Sequence, residues 1–92
     1  MRTFTTDPAE VRRWADERGA RPGLTESGDL VLWMPGEADR GPVLRWDEFA
    51  GHFTAERMAF VFDEVPGSGF WVIGREDEVR QFAEEAIPEM LA

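Results

Sequence analysis

Any proton-transfer chemistry in this chain would have to start from His52. It is the single histidine of 92 residues, and the chain contains no Cys, Tyr, Lys or Asn. Imidazole titrates near neutrality without help, but hydrolytic use requires a nucleophile beside it. The available hydroxyls are Ser27, Ser68 and the threonines, and none lies in a nucleophile-elbow pattern. His52 precedes Phe53 in a short segment with helical spacing, so it reads as a partly exposed structural histidine. Asp63-Glu64 and Glu76-Asp77-Glu78 concentrate carboxylates. Neither has the spacing or the glycine of a calcium loop, and the second reads as the charged first turn of a helix. Gly67-Ser68-Gly69 is too short for a phosphate loop and lacks its lysine. The residue types therefore predict no catalytic group, no metal and no cofactor.

Residues suited to binding are easier to find. Trp33 and Trp71 fall in apolar runs, and Trp and Arg dominate interface hot spots. Arg45 and Arg57 flank the short helical segment. Trp33, Arg45, Arg57 and Trp71 are the candidate binding residues. They would work by burying an aromatic sheet face with arginines and carboxylates at its rim.

Charge narrows the partner classes. Ten arginines against nineteen acids leave a net charge of −9, which repels phosphate backbones and argues against nucleic acid. No apolar run approaches the roughly 20 residues of a membrane span, and Met1-Arg2-Thr3-Phe4 does not open a secretory signal. A cytoplasmic protein is expected. The joint absence of Lys, Asn and Tyr, whose codons are AT-rich, suggests a GC-rich genome.

The elements that must position these residues can be read along the chain. Residues 8–18 predict a helix: Asp7 caps it, Pro8 suits its first position, Glu10 is placed for a capping box, and Gly19 ends it. Val11, Trp14, Ala15 and Arg18 share one stripe, with Trp14 the expected anchor. Arg12–Asp16 and Arg13–Glu17 are i, i+4 pairs on the wet side. Residues 23–34 predict a β-ribbon turning at Glu26–Asp29. Residues 35–42 read as a loop, and Val43–Trp46 as a brief extension. Asp47 is expected to cap a helix over 48–53, with Phe49 and Phe53 on its inner face. Met58–Val65 and Phe70–Ile73 predict a hairpin around Pro66–Gly69. A last helix should start near Gly74 or Arg75, with Val79, Phe82, Ala83, Ala86 and Met90 on one stripe and a break before Pro88. The order α-β-β-α-β-β-α describes a single α+β domain over residues 1–92, with helices packed on a small, mostly antiparallel sheet.

Thr5-Thr6-Asp7, Trp14-Ala15-Asp16, Arg18-Gly19-Ala20-Arg21-Pro22 and Trp46-Asp47-Glu48-Phe49, followed by Phe53 and Met58-Ala59-Phe60, resemble a group of small bacterial proteins of unknown function. That group's pattern is Thr-Thr-Asp, Trp-Ala-Glu, Arg-Gly-Gly-x-Pro and Trp-x-Glu-Phe-Phe, and the resemblance covers roughly residues 5–65. Asp16, Ala20 and Ala50 depart from it, and the segment after Arg75 lies outside it. Members are sometimes labelled glucan branching enzymes, yet the resemblance supplies no carboxylate pair to carry over. It implies one compact α+β unit.

Taken together, these residues lead us to expect a protein-interaction or accessory module that binds a protein partner or a second copy of itself. Two alternatives follow from other residues. One is an acidic inhibitor of a basic partner, with Glu84, Glu85 and Glu89 clustering beside Asp16 or Glu17. The other is a small-molecule binder or enzyme using His52.

Overall fold

The computed structural model describes residues 2–36 and 41–84. The chain begins with a strand that periodicity did not reveal, β1 (Arg2–Thr5). It continues through α1 (Pro8–Arg18), β2 (Arg21–Leu24), β3 (Leu30–Trp33), α2 (Trp46–Ala55), β4 (Met58–Asp63), β5 (Trp71–Arg75) and α3 (Glu76–Glu84). The predicted α+β class holds, with every strand pairing antiparallel. Instead of one sheet there are two: a three-stranded sheet ordered β1-β4-β5 and a two-stranded ribbon of β2 and β3.

Helix α1 forms where its caps require. Asp7 Oδ1 accepts from the Ala9 amide at 2.9 Å, and Gly19 takes φ 71° to end the helix. The expected capping box does not close. Glu10 turns instead to Arg13 at 3.2 Å, while the Asp7 amide donates to Thr5 Oγ1 at 3.0 Å. Both predicted i, i+4 pairs form, Arg12–Asp16 at 3.5 Å and Arg13–Glu17 at 2.8 Å. Trp14 is fully buried, and its indole N–H donates to the Asp63 carbonyl at 2.9 Å. The Arg18 guanidinium lies 4.4 Å from the Trp14 ring centroid and donates to the carbonyls of Ser68, Asp63 and Val65. Helix one is thereby fastened to the turn that follows β4.

Helix α2 starts before Asp47, contrary to expectation. Arg45 occupies the cap position, and its amide is satisfied by Glu48 Oε1 at 3.1 Å. Val43 and Leu44 do extend briefly: the Leu24 amide donates to the Pro42 carbonyl at 3.1 Å and the Leu44 amide to that of Pro22 at 2.9 Å. This segment covers the outer edge of β2. The last helix begins at Glu76. Ala86, Pro88 and Met90, and the stripe and break expected there, lie outside the described residues.

Strand alternation divides the core. Phe60 and Phe62 of β4 point into the main cluster with Val11, Trp14, Ala15, Leu30, Leu32, Phe49 and Phe53. Ala59 and Val61 point the other way, onto Val79 and the partly buried Phe4, Val72 and Phe82. So α1 and α2 cover one face of the three-stranded sheet and α3 covers the opposite one. The aromatic sheet face expected to serve binding is thus covered within the chain. Among the described residues the exposed large apolar side chains are Val43 and Val65, and no exposed aromatic joins them.

Candidate functional site

The four candidate binding residues do not converge. Trp33 is 8% exposed, with its indole N–H 3.4 Å from the Pro42 carbonyl. It plugs the gap between the ribbon and the chain returning from the loop. Trp71 is half-buried and packs on the main core. Arg45 is exposed but occupied, holding Asp47 at 2.8 Å, and that guanidinium holds the Asp47 carboxyl below the usual carboxylate range. Arg45 and Arg57 stand at opposite ends of α2. A ten-residue helix separates them by roughly 15 Å.

Arg57 alone enters a substantial depression. A cleft of about 680 Å³ is lined by Ala55 and Glu56 at the end of α2, Arg57, Arg75 at the end of β5, and Glu76, Asp77 and Arg80 on α3. Arg57 follows the helix cap and takes φ 53°, the left-handed conformation that ends helices and that glycine normally supplies. Its carbonyl accepts from the Glu76 amide at 3.1 Å. Arg80 is committed to Glu76 at 2.9 Å and lies over the Phe4 ring. Among the described residues, Arg57 and Arg75 are the arginines whose side chains have no hydrogen-bond or ion-pair partner. Two uncommitted guanidiniums therefore line one cleft in a chain of net charge −9.

Arg75 was not among the sequence candidates, because the expected turn at Pro66–Gly69 would set Val65 opposite Phe70, two residues out of the observed register. The hairpin pairs Phe62 with Trp71, and counting back along the ladder pairs Met58 with Arg75. That register sets Arg57 beside the end of β5.

The same ladder fixes which way the β5 backbone points. The Asp63 amide donates to the Phe70 carbonyl at 3.3 Å, and the Glu76 amide donates to Arg57 at the other end. In an antiparallel pair such positions alternate. Phe70, Val72, Gly74 and Glu76 therefore turn their polar groups toward β4, while Trp71, Ile73 and Arg75 turn theirs outward. β5 is an edge of its sheet. At five residues it is longer than the other edge strands, β1, β2 and β3. It carries no Pro, no Lys and no acid, the usual devices that blunt an edge.

His52 is exposed and lines a shallow depression with Glu48, Gly51 and Ala55, which adjoins the arginine cleft at Ala55. Arg57 is not part of that lining. Asp63 and Glu64 do not act as a pair: Asp63 Oδ1 accepts from the Val65 amide, and Glu64 binds Arg13 at 2.8 Å. Among the described residues no three acidic or imidazole groups are placed to hold a metal ion, and no described helix is long and apolar enough to cross a membrane. Asp16 and Glu17 are partnered by Arg12 and Arg13. Glu85 and Glu89, and the side chain of Glu84, fall outside what is described.

No protein family, curated protein or solved structure matches this chain.

Proposed function

We propose that this protein is a small interaction module that receives an extended protein segment along the free edge of β5. Arg57 and Arg75 stand at the end of that track, where a guanidinium can take an aromatic ring or a carboxylate of the incoming segment. The observation that carries this reading is a five-residue edge strand with outward polar groups that ends at two uncommitted arginines. Strand addition of this kind draws affinity from main-chain hydrogen bonds and specificity from the side chains beside them.

Affinity capture with tagged protein in native lysate tests the reading, with captured proteins identified by mass, including untagged copies of the chain. Ile73→Pro removes an outward amide that β4 does not use, a place where sheets tolerate proline. The double change Arg57→Glu, Arg75→Glu reverses the charge of the cleft. Both variants should lose the same captured proteins, and His52→Ala should keep them. A captured set that is identical for all four baits sinks the proposal.

A second reading is favoured by the cleft itself. Its size is that of a small-molecule cleft, and its two arginines would take an anionic group such as a carboxylate or phosphate ester, although Glu56, Glu76 and Asp77 on its wall oppose one. Titration with inorganic phosphate, followed through the Arg57 and Arg75 side-chain NMR signals, separates this from strand addition. Phosphate should shift those signals without disturbing the outward β5 amides.

A further inference from the structure

We infer that the segment received by β5 is β5 of a second copy, paired antiparallel about a twofold axis through Ile73. This rests on the interaction-module reading above and names its occupant. The outward residues Trp71, Ile73 and Arg75 are symmetric about Ile73, and strand β5 is itself Trp71–Arg75. A twofold axis at Ile73 therefore gives the longest pairing that the strand allows. It sets Ile73 opposite its own copy and Trp71 opposite Arg75 of the other chain.

The phase of the backbone agrees with this register. Ile73 faces outward because Val72 and Gly74 bond to β4, so the axis falls on a hydrogen-bonded pair. All the outward amides and carbonyls of Trp71, Ile73 and Arg75 then find partners, two bonds at each of three positions. An axis on Val72 would pair Trp71 with Ile73 of the copy, and one on Gly74 would pair Ile73 with Arg75, each leaving the third outward position without a partner inside β5.

The side chains complement one another in the same register. Trp71 and Arg75 lie four residues apart on one face of β5, and each becomes the direct cross-strand neighbour of the other's copy. The Arg75 guanidinium has no ion-pair partner among the described residues of its own chain. Placed over the half-buried Trp71 ring, it makes a cation–π contact twice per dimer. Each copy carries a net charge of −9, and Asp29, Glu56 and Glu78 stand beside Ile73 and Arg75, so the pairing works against a repulsion that salt screens. The acidic start of α3, Glu76 to Glu78, runs past the partner's Pro66–Phe70 turn, which carries no charged residue. The interface is thus isologous, as a closed dimer requires. It joins two three-stranded sheets into one of six strands.

The chain has no native cysteine, so two single-cysteine variants report the register. In the proposed dimer the Ile73 Cα atoms are about 5.5 Å apart, within disulfide reach, whereas two Arg75 positions are offset by four residues, on the order of 13 Å along the strand. Mild oxidation should cross-link Ile73→Cys and leave Arg75→Cys monomeric. Light scattering on the unmodified chain should give a mass that climbs from 10.5 kDa toward twice that value as concentration rises. Arg75→Glu, a change at an exposed position, should weaken the dimer at least tenfold. Ile73→Pro, checked for an intact fold by circular dichroism, should abolish it. A mass that stays monomeric at every concentration overturns the self-pairing, as does a dimer that survives both Arg75→Glu and Ile73→Pro. Cross-linking at Arg75→Cys, or at neither position, overturns the register. Edge-dependent capture of a different protein by a monomeric chain would remove self-pairing while leaving the module reading in place.

Discussion

The carbonyl of Arg57 accepts a hydrogen bond from the amide of Glu76 at 3.1 Å. One peptide group thus extends the β4–β5 ladder and satisfies one of the orphan donors at the start of α3. It also sets the backbone of Arg57, which holds φ 53° without being glycine. A left-handed conformation costs an ordinary residue about 1–2 kcal/mol. Arg57→Gly should therefore stabilise the fold by about 0.5–1 kcal/mol after glycine's own entropy cost, a rise of roughly 2–8 °C for a domain of this size. The same change removes a guanidinium from the cleft. Thermal unfolding should improve while edge-dependent capture weakens. Loss of both would show that Arg57 has no role beyond its turn.

Gly23 and Gly51 should respond to alanine in opposite directions. A Cβ at Gly23 would lie 2.0 Å from Trp33 Nε1 and 2.7 Å from the Pro42 carbonyl oxygen. Gly23→Ala must displace the Trp33 indole, at a cost of about 2 kcal/mol or more, and should shift tryptophan emission. At Gly51, inside α2, a Cβ meets nothing within 4 Å. Gly51→Ala should stabilise by about 0.5–1 kcal/mol. Chemical denaturation of the two variants checks both signs.

Asp63 links the fold to acid. Its carboxyl accepts from the Val65 amide at 3.0 Å, and chiefly this bond lowers its pKa from 3.8 in the folded state. A lowered folded value means that the stabilisation is full above the unfolded pKa. It is lost as pH falls through the folded one. The wild-type chain should therefore lose stability on acidification below about pH 4. Asp63→Asn should be less stable near neutrality and show a flatter acid limb. Melting curves taken between neutrality and strong acid measure the difference, and parallel curves for the two proteins would exclude this linkage.

His52→Ala should change little. The imidazole is exposed on α2 and lines a depression whose lining includes neither Arg57 nor Arg75. An exposed substitution of this kind stays within roughly 0.5 kcal/mol. Captured partners and dimer mass should match those of the unmodified chain. A loss of either would bring His52 back as a binding group.

Several elements were legible because their signals are local. Asp7, Pro8 and Gly19 bound α1 from Pro8 to Arg18 through contacts inside one or two turns. Pro66 to Gly69 mark the hairpin, and the pairing of β4 with β5 follows from that turn. Elements defined by distant partners were harder to read. β1 is four residues long, and it becomes a strand by pairing with β4 some 58 positions away, as Thr3 with Phe62 and Phe4 with Val61. Its own residues are too few for a period. The start of α2 escaped because Asp47, the better capping residue, is bypassed: Glu48 satisfies the Arg45 amide instead.

The binding residues divide in the same way. That tryptophan and arginine would matter was readable from residue type. Exposure was not, since it depends on which surface the rest of the chain covers. Trp33 was drawn inside by Pro42 and Gly23, while Arg75 was brought beside Arg57 by the hairpin register. By itself the sequence determined the length and caps of α1 and the place of one hairpin turn, because those depend on backbone sterics and hydrogen bonds between near neighbours. Only the tertiary structure decided that α3 takes the face opposite α1, closing both sides of the sheet and leaving the β5 edge unpaired among the described residues. That choice is made by packing between residues far apart in the chain, where Val79 meets Ala59 and Val61 and Trp14 meets Phe60 and Phe62.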